Sequence, residues 1–332
     1  MNNKRTASTP PSAAQFGFGR ARPRSSAAQA EDKNQPQTQQ QAVPMFRIAG
    51  VQMASGPNVS ANLNEARRLI EMAVAQGARL VALPEWFAIM GLKDTDKLAI
   101  REKDGDGPIQ HFLSATARTH RIWLIGCSIP LESQDSGRVH NSMLVYDDSG
   151  RRVARYDKIH LFSLELGQER FSEERTIHPG NEVKVVDTPL GRIGLSICYD
   201  LRFPELYRAM PDVDMIVVPS AFTATTGRAH FETLIRARAI ENLAYVIAPA
   251  QGGYHLSGRE THGDSMIVDP WGVVLDRLPR GSGIVIANIN PAYQASLRNS
   301  LPALKHRFIQ CEQIEIEVIE RRAVAKREPS GK

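Results

Sequence analysis

The sequence predicts an α+β protein, in which one layered domain holds large β-sheets between outer helices. Two observations lead to this prediction. Strands with alternating and with continuous apolar patterns occur along the chain, and segments with helical apolar spacing lie between them. The 332 residues, of which 42% are apolar and 23% charged, are enough for the core of one large domain.

The domain begins with a strand, a helix and a second strand. Residues 46–53 are predicted as a buried strand, and residues 62–76 place apolar side chains at helical spacing before Gly77 ends the helix. Residues 80–83 then form a short buried strand. This order is typical of a βαβ-like unit at the start of a layered domain.

The rest of the chain continues in the same manner. Further strands are predicted at 122–129, 139–146, 152–157, 183–187, 193–197, 215–218, 245–248, 266–268 and 284–289. Further helices are predicted at 109–119, 205–210, 230–241 and 291–299. The turn at 147–150 predicts that the two strands around it form a hairpin.

The two ends differ from this body. Residues 1–44 are rich in Ser, Ala, Pro and Gln, and they predict a disordered extension or a misassigned start before Met45. They carry six basic and two acidic residues, which account for most of the net charge of +5. The nearly neutral body therefore offers no electrostatic surface for nucleic acid. The catalytic domain is expected at 45–308, and a peripheral C-terminal arm at 309–332.

Cysteine usage and apolar run length indicate the compartment. No apolar run approaches the roughly 20 residues of a membrane helix, so no membrane-spanning segment is predicted. Cys127, Cys198 and Cys311 are too few and too far apart for a disulfide framework or a zinc site. We therefore expect a cytoplasmic protein without a metal. The basic, acid-poor start also resembles an organelle transit peptide, which keeps a mitochondrial location open.

Three polar residues follow buried strands where the chain turns. Cys198 ends the run 193–197 and precedes Pro204, so its thiol is expected on a tight turn whose N–H groups can stabilise a thiolate or an oxyanion. Glu85 and Lys158 also follow strands, beside aromatic residues typical of a half-buried cleft. There a carboxylate can act as general base to the thiol, and a lysine can hold an amide oxygen as it becomes negative. Taken singly, a core cysteine, a surface acid and a solvated lysine remain alternatives.

Three segments resemble the catalytic blocks of the nitrilase (carbon–nitrogen hydrolase) superfamily in order and separation: 83–85, 156–162 and 197–206. The resemblance covers about 45–308 and implies an αββα sandwich, with two facing sheets and helices outside. It implies that Glu85 is the general base, Lys158 the cation beside the oxyanion, and Cys198 the nucleophile. Such an amidase forms a thioester and needs no metal or organic cofactor.

The same resemblance implies two further site residues. The family has a second glutamate shortly before a Pro-Gly pair, and counting back from Pro179-Gly180 places it at Glu173. The backbone N–H of Tyr199, directly after the cysteine, is expected to help Lys158 hold the oxyanion.

Four more segments resemble the branch of the superfamily named for deaminated glutathione amidase: 219–232, 236–242, 250–255 and 263–272. The resemblance implies hydrolysis of the amide that joins a 2-oxoglutarate-derived acyl group to Cys-Gly. Thr225, Thr226, Arg228 and His230 are expected to bind this carboxylate-bearing substrate. Arg228 and Asp264 depart from the pattern of the branch, and both are expected near the mouth of the pocket.

Several alternatives remain beside this interpretation. An ω-amidase acting on 2-oxoglutaramate shares the acyl half of the substrate, and a nitrile or an N-carbamoyl amino acid is more distant. A cysteine protease would pair Cys198 with a histidine, for which the possible partners are His160, His230, His255 and His262. A degenerate, non-enzymatic scaffold would have lost part of the trio, which is intact here.

The superfamily resemblance also implies assembly. We expect a homodimer or a larger homo-oligomer, built through helices that include the predicted helix 205–210. Its apolar residues Leu206, Tyr207 and Met210 suit an interface, although they are equally compatible with packing on their own sheet.

Overall fold

Two six-stranded β-sheets form the centre of the fold. The computed structural model describes residues 44–167, 169–210 and 212–309. The predicted extension at 1–44 and the predicted arm at 309–332 lie outside these ranges, except for Pro44 and Ile309. The described residues belong to one compact unit. None of their helices is long and apolar enough to cross a membrane.

Strands and helices follow one another along the described chain. The strands are β1 (Phe46–Gln52), β2 (Ala78–Ala82), β3 (Trp123–Glu132), β4 (Val139–Tyr146), β5 (Arg152–Asp157), β6 (Ser163–Leu166), β7 (Glu169–Ser172), β8 (Val185–Thr188), β9 (Gly191–Leu195), β10 (Met215–Val217), β11 (Tyr245–Ala248), β12 (Gly252–Tyr254), β13 (Glu260–His262), β14 (Ser265–Val268), β15 (Val274–Leu278) and β16 (Gly283–Ile289). The α-helices are α1 (Val59–Ala75), α2 (Asp96–Ala99), α3 (Pro108–His120), α4 (Pro204–Arg208), α5 (Ala224–Asn242) and α6 (Pro291–Ser300).

The two sheets have similar layouts. The first has the strand order β16-β1-β2-β3-β4-β5, and the second has the order β15-β14-β11-β10-β9-β8. In each sheet three strands run parallel, namely β1 to β3 and β9 to β11, and the outer strands are antiparallel. The short hairpins β6-β7 and β12-β13 lie outside both sheets.

The layers pack in the order helix, sheet, sheet, helix. One apolar cluster joins the inner faces of the sheets, with Ile48 and Ile125 from the first and Leu195 from the second. A second cluster joins the outer face of the first sheet to α1 and α3, with Leu69 and Leu113 at its centre. The helix α5 packs on β11 and β14 of the second sheet. The predicted αββα sandwich is therefore confirmed. Strands covered on both faces are apolar throughout, which explains the continuous apolar runs in the sequence.

Some elements were not predicted, because they are short or carry little apolar periodicity. These are α2, β15 and the two hairpins. The helix predicted at 230–241 begins six residues earlier, at Ala224. Thr223 caps this end, since its Oγ1 accepts a hydrogen bond from the Thr226 N–H at 3.2 Å. The side chains at 224–229 therefore follow helical rather than loop geometry.

The helix α4 lies against its own sheet. Leu206, Tyr207 and Met210 are all buried in the inner core of the chain. The Tyr207 hydroxyl donates a hydrogen bond to Ser196 Oγ at 3.0 Å. The prediction that these three residues suit a subunit interface is therefore wrong, because they are already covered within one chain.

Asp264 is held in a buried ion pair. It precedes β14 with a left-handed φ of 62°, and its carboxylate accepts a hydrogen bond from Arg277 Nη2 at 2.8 Å. Burial alone would raise the pKa of Asp264, but His262 and Arg277 hold it below its usual value. The residue that departs from the pattern of the branch thus has a structural partner.

We expect Asp264→Asn to lower the free energy of unfolding by about 1–3 kcal/mol at pH 7, because Arg277 loses its buried carboxylate partner and keeps only the more exposed Glu232. Asn tolerates the left-handed backbone, so the change isolates the charge. The folded pKa is depressed, so the stabilisation is present above the unfolded value near ~3.9 and is lost as pH falls through the folded value. Urea titrations of both proteins from pH 3 to 8 measure this difference.

Asp187→Asn is the matched control, because Asp187 pairs with Arg192 in solvent. It should change the stability little at any pH. A wild-type advantage over Asp264→Asn that grows on acidification would contradict the assignment.

Candidate active site

Strand ends from both sheets bring the predicted site residues together. Glu85 lies three residues after β2, Lys158 directly follows β5, and Cys198 lies three residues after β9. The inner faces of the two sheets pack together, so the ends of these strands meet in one buried cluster. The packing of the sandwich itself therefore assembles the site.

Cys198 occupies a strained turn. It opens the short 3₁₀ helix Cys198–Arg202 with a φ of 48°, a conformation that costs a non-glycine residue roughly 1–2 kcal/mol. Its N–H donates to the Pro219 carbonyl at 2.9 Å. Trp86 and Ser128, which flank or support Glu85, also have positive φ. Backbone strain of this kind concentrates at functional sites, where surrounding contacts hold it in place.

The buried carboxylate of Asp200 fixes this turn. It accepts hydrogen bonds from the Ile197 N–H at 2.8 Å, from the Tyr156 hydroxyl at 2.7 Å and from the His160 N–H at 3.0 Å. The His160 ring also binds this carboxylate, at 2.7 Å, and stacks on Phe203. Asp200 therefore connects the Cys198 turn to the segment that carries Lys158. The His160 ring is bound to Asp200 and takes part in the same structural contact.

Lys158 lies between two carboxylates. Its Nζ donates to Glu85 Oε1 at 2.9 Å and to Glu173 Oε1 at 2.9 Å, and its side chain is fully buried. The other carboxylate oxygen of Glu173 accepts the Phe162 N–H at 2.7 Å. Glu173 is thus a second acidic partner of the same ammonium group.

Asn141 completes the support of Glu85 and was not predicted. Its Nδ2 donates to Glu85 Oε1 at 3.1 Å, and its Oδ1 accepts from the Ser128 hydroxyl at 2.6 Å. Its carbonyl also accepts the Lys158 N–H at 3.0 Å. Asn141 lies inside β4, and nothing in the local pattern of that strand distinguishes it from a core position.

The electrostatics of the cluster favour a neutral thiol beside charged neighbours. Burial raises the pKa of Cys198 well above its usual value, and the adjacent Glu85 raises it further, whereas Lys158 opposes both effects. Burial would lower the pKa of Lys158, but Glu173 and Glu85 hold it well above the usual value. Burial would raise the pKa of Glu173, but Lys158 keeps it lowered. An ammonium group, a carboxylate and a thiol that needs a base therefore lie together.

A narrow pocket leads to Cys198. Its walls are formed by Glu85, Phe162, Glu173, Cys198, Tyr199, Arg202, Ala221, Phe222, Thr223, Thr226 and Arg259. Of the predicted substrate-binding residues, Tyr199 and Thr226 are therefore in its wall. Thr225, Arg228 and His230 are exposed on α5 and do not line it, and their part in binding stays a prediction. Asp264 does not line it either.

Two arginines in this wall were missed. Arg202 lies over the rings of Tyr199 and Phe222, at 5.7 and 5.3 Å from their centroids. It belongs to the block that follows Cys198, so its position in the sequence could have indicated it. Arg259 comes from the loop between β12 and β13, which carries no motif that would mark it as part of a site. Among the described residues, no Asp or Glu forms an ion pair with either arginine. The described residues also contain no group of three or more His, Cys, Asp or Glu side chains that could hold a metal ion.

Comparison with known proteins agrees with this geometry. The profile of the family described as carbon-nitrogen hydrolase matches residues 47–299, and the chain belongs to this family. It is 42% identical to a deaminated glutathione amidase of Synechocystis over 79% of this chain and 98% of that protein. It is 38% identical to Omega-amidase NIT2-B of Xenopus laevis, over 79% of this chain and 95% of that protein.

A solved structure shows the same architecture. The crystal structure of the Caenorhabditis elegans NitFhit protein matches with a TM-score of 0.74 and 38% identity, over 80% of this chain and 66% of that chain. Family, relatives and structure agree that this protein is a carbon–nitrogen hydrolase that acts on amides. The predicted superfamily is confirmed.

We expect Glu85→Gln to shift the pH profile of Cys198 alkylation to lower pH, because removing the neighbouring negative charge lowers the pKa of the thiol. Lys158→Met should shift the profile to higher pH, because a positive neighbour is lost. Iodoacetamide labelling rates between pH 6 and 10, with the labelled site mapped by mass spectrometry, measure both shifts.

Cys198→Ala is the control for labelling at other cysteines. Little labelling of Cys127 is expected, because this residue is fully buried. If Glu85→Gln and Lys158→Met shift the midpoint pH of labelling in the same direction, the charges of Glu85 and Lys158 do not set the pKa of the Cys198 thiol.

Proposed function

We propose that the protein hydrolyses deaminated glutathione, cleaving the amide between the 2-oxoglutarate-derived acyl group and Cys-Gly. The observation that carries the proposal is the pocket itself, where a buried Glu–Lys–Cys cluster faces arginines that have no acidic partner among the described residues. Unpaired cations in a partly buried wall suit a substrate that carries carboxylates. The several relatives named deaminated glutathione amidase support the same substrate.

The first half of the proposed reaction forms a thioester. Cys198 Sγ attacks the amide carbonyl while Glu85 takes the thiol proton. The oxygen becomes negative and is held by the Lys158 ammonium and by the Tyr199 N–H. Glu85 then gives its proton to the leaving nitrogen, the C–N bond breaks, and the amine departs.

The second half regenerates the enzyme. Glu85 removes a proton from a water molecule, whose oxygen attacks the thioester carbonyl. Lys158 again faces the developing oxyanion. The C–S bond breaks, the acid product leaves, and the proton returns from Glu85 to the Cys198 sulfur.

Glu173 acts in this proposal as a positioning residue. Its Oε1 binds the Lys158 ammonium, and its Oε2 accepts the Phe162 N–H and also lies 2.8 Å from Lys158 Nζ, so it holds the cation in place. With Glu173 holding one side of Lys158, the Glu85 carboxylate can exchange its proton while the ammonium group stays charged.

Arg202 is the proposed partner of the acyl-end carboxylate. It lines the pocket four residues after Cys198, and its guanidinium is held by aromatic faces rather than by an acid. A guanidinium can bind a carboxylate with two parallel hydrogen bonds. Arg202 thus has the position that the sequence led us to expect for Arg228.

An ω-amidase acting on 2-oxoglutaramate is the second proposal. It shares the acyl half of the substrate, and a relative at 38% identity bears the name omega-amidase. The site contains no feature that favours a nitrile or an N-carbamoyl amino acid over these amides.

We expect deaminated glutathione to give the highest kcat/KM among five substrates: deaminated glutathione, 2-oxoglutaramate, glutamine, an aliphatic nitrile and an N-carbamoyl amino acid. Stopped assays of product formation on the purified protein measure the five values. Arg202→Met should raise KM about tenfold or more for the first two substrates, which carry the acyl-end carboxylate, and less for the nitrile.

Cys198→Ala is the control for enzymatic turnover and should lose activity by several orders of magnitude. Another best substrate among the five would refute the substrate proposal, whereas normal turnover by Cys198→Ala would refute the mechanism.

We also propose that the protein forms a homodimer or a larger homo-oligomer. An exposed apolar patch supports this, formed by Ile240 on α5 together with Trp271 and Val273 in the turn before β15. These residues adjoin, since Ile240 lies against the turn at Gly272. Exposed patches of this kind commonly mark interfaces.

We expect light scattering at micromolar concentration to show a dimer or larger species, and Trp271→Asp to shift it towards the monomer. Met72→Lys, on the exposed face of α1, is the control and should leave the mass unchanged. A monomeric wild-type protein would overturn the proposal.

A further inference from the structure

A second cavity adjoins the catalytic pocket. This side cavity has a volume of about 180 Å³ and is lined by Trp86, Ile89, Met90, Gly91, Leu92, Lys93, Asp94, Lys97, Phe171, Ser257 and Arg259. Arg259 belongs to the walls of both spaces. Phe171 of the side cavity also contacts Phe162 of the catalytic pocket, with 5.7 Å between their ring centroids. The two spaces are therefore neighbours at one wall.

Arg259 has unused hydrogen-bonding capacity at this shared wall. Its Nη2 donates to the Ala221 carbonyl at 2.9 Å, and its guanidinium lies over the ring of Phe171 at 5.1 Å. Its Nε is buried without a hydrogen-bond partner. No carboxylate among the described residues pairs with it. Leaving a buried donor without a partner destabilises a protein, so this donor points to a group that binds there.

Lys97 is a second cation in the same cavity. Its ammonium lies 4.8 Å from the centroid of the Trp86 ring, and it makes a hydrogen bond of 3.3 Å to Thr176 Oγ1. It too has no ion-pair partner among the residues that the structure describes. Burial lowers the pKa of Lys97, while Glu173 and Asp94 oppose this effect. Asp94 lines the cavity but is exposed, and Glu173 is already bound to Lys158, so an anion inside the cavity would add a compensating charge for both cations.

We propose that the side cavity is a subsite for the leaving group, in which Arg259 and Lys97 bind the terminal carboxylate of the Cys-Gly part of the substrate. The inference rests on the proposed function and deepens it. Arg202 serves the acyl end, so the two less exposed cations of the side cavity, Arg259 and Lys97, serve the opposite end of the amide, whereas Lys93 is exposed. The faces of Trp86 and Phe171 offer packing for the cysteine side chain between them.

The size of the leaving group fits this arrangement. An extended dipeptide spans about 7 Å, and Arg259 lines the space that contains Cys198. A carboxylate two residues beyond the scissile bond can thus reach the shared wall. The leaving group of 2-oxoglutaramate is ammonia, which cannot use the subsite. The subsite therefore distinguishes the two candidate substrates.

The test measures the ratio of kcat/KM for deaminated glutathione to kcat/KM for 2-oxoglutaramate and compares this ratio between the wild-type protein and its variants. Arg259→Met and Lys97→Met should each lower this ratio about tenfold or more, mainly through KM for deaminated glutathione. Arg259→Lys should restore part of the ratio. Arg170→Met is the matched control, because it removes an exposed guanidinium of the neighbouring hairpin. It should leave the ratio unchanged.

A third substrate isolates the carboxylate. The analogue of deaminated glutathione with a C-terminal amide should be a poorer substrate for the wild-type protein, and Arg259→Met should cause it little further loss. If both variants keep the wild-type ratio, or affect acid and amide equally, the subsite is overturned while the proposed function stands. If the wild-type protein does not hydrolyse deaminated glutathione, the proposed function itself fails.

Discussion

The buried contact of Lys158 with Glu85 and Glu173 is the interaction on which the site depends. Removing an ammonium group and two carboxylates from water costs several kcal/mol per ion, and only short contacts with satisfied hydrogen bonds offset it. The three groups come from three separate segments, so the cluster forms only when the sandwich is complete. The fold and the catalytic charge arrangement therefore stabilise each other.

The charge balance of this cluster sets the state of Cys198. Burial and the adjacent Glu85 raise the pKa of the thiol well above its usual value, and Lys158 opposes them, so the net effect favours the protonated sulfur. A protonated thiol is a poor nucleophile, and Glu85 is the neighbouring group that can take its proton as the bond to carbon forms. In the proposed reaction, the Lys158 that binds Glu85 also faces the oxygen that becomes negative. Charge would then move from sulfur to oxygen within reach of one fixed cation.

Residues at strand ends could be predicted from the sequence, and residues that support them could not. Glu85, Lys158 and Cys198 follow apolar runs and interrupt them, which makes them visible. Glu173 was located through Pro179-Gly180, and the structure shows why the glycine is needed: a Cβ at Gly180 would lie 2.2 Å from the Asp157 carbonyl oxygen. No such motif marks Asn141 in the sequence. A polar residue inside a strand gives the same sequence pattern whether its side chain binds a buried water or a carboxylate such as Glu85.

Arg228 shows how an element boundary alters a functional prediction. With a helix starting at residue 230, positions 225–228 would belong to a loop beside the cysteine. The Thr223 cap starts α5 at Ala224 instead, and helical geometry turns Arg228 towards solvent while Thr226 and Gly227 face inwards. The resemblance implied cationic or hydroxyl donors near Cys198, and in the structure Arg202 and Arg259 line the pocket that contains this cysteine.

The proposed substrate specificity depends on where the cations of the pocket lie. The acidic groups of the pocket already have a cationic partner, since Glu85 and Glu173 bind Lys158. Arg202 contacts two aromatic rings and the His230 ring, and Arg259 contacts an aromatic ring and a carbonyl, which orients both guanidinium groups without neutralising them. An amide with a negative group on each side of the scissile bond would satisfy both arginines at once, whereas a primary amide would satisfy one. Under the proposed function, the fold separates the chemistry, which uses the Glu–Lys–Cys cluster, from substrate selection, which depends on the arginines in the walls around it.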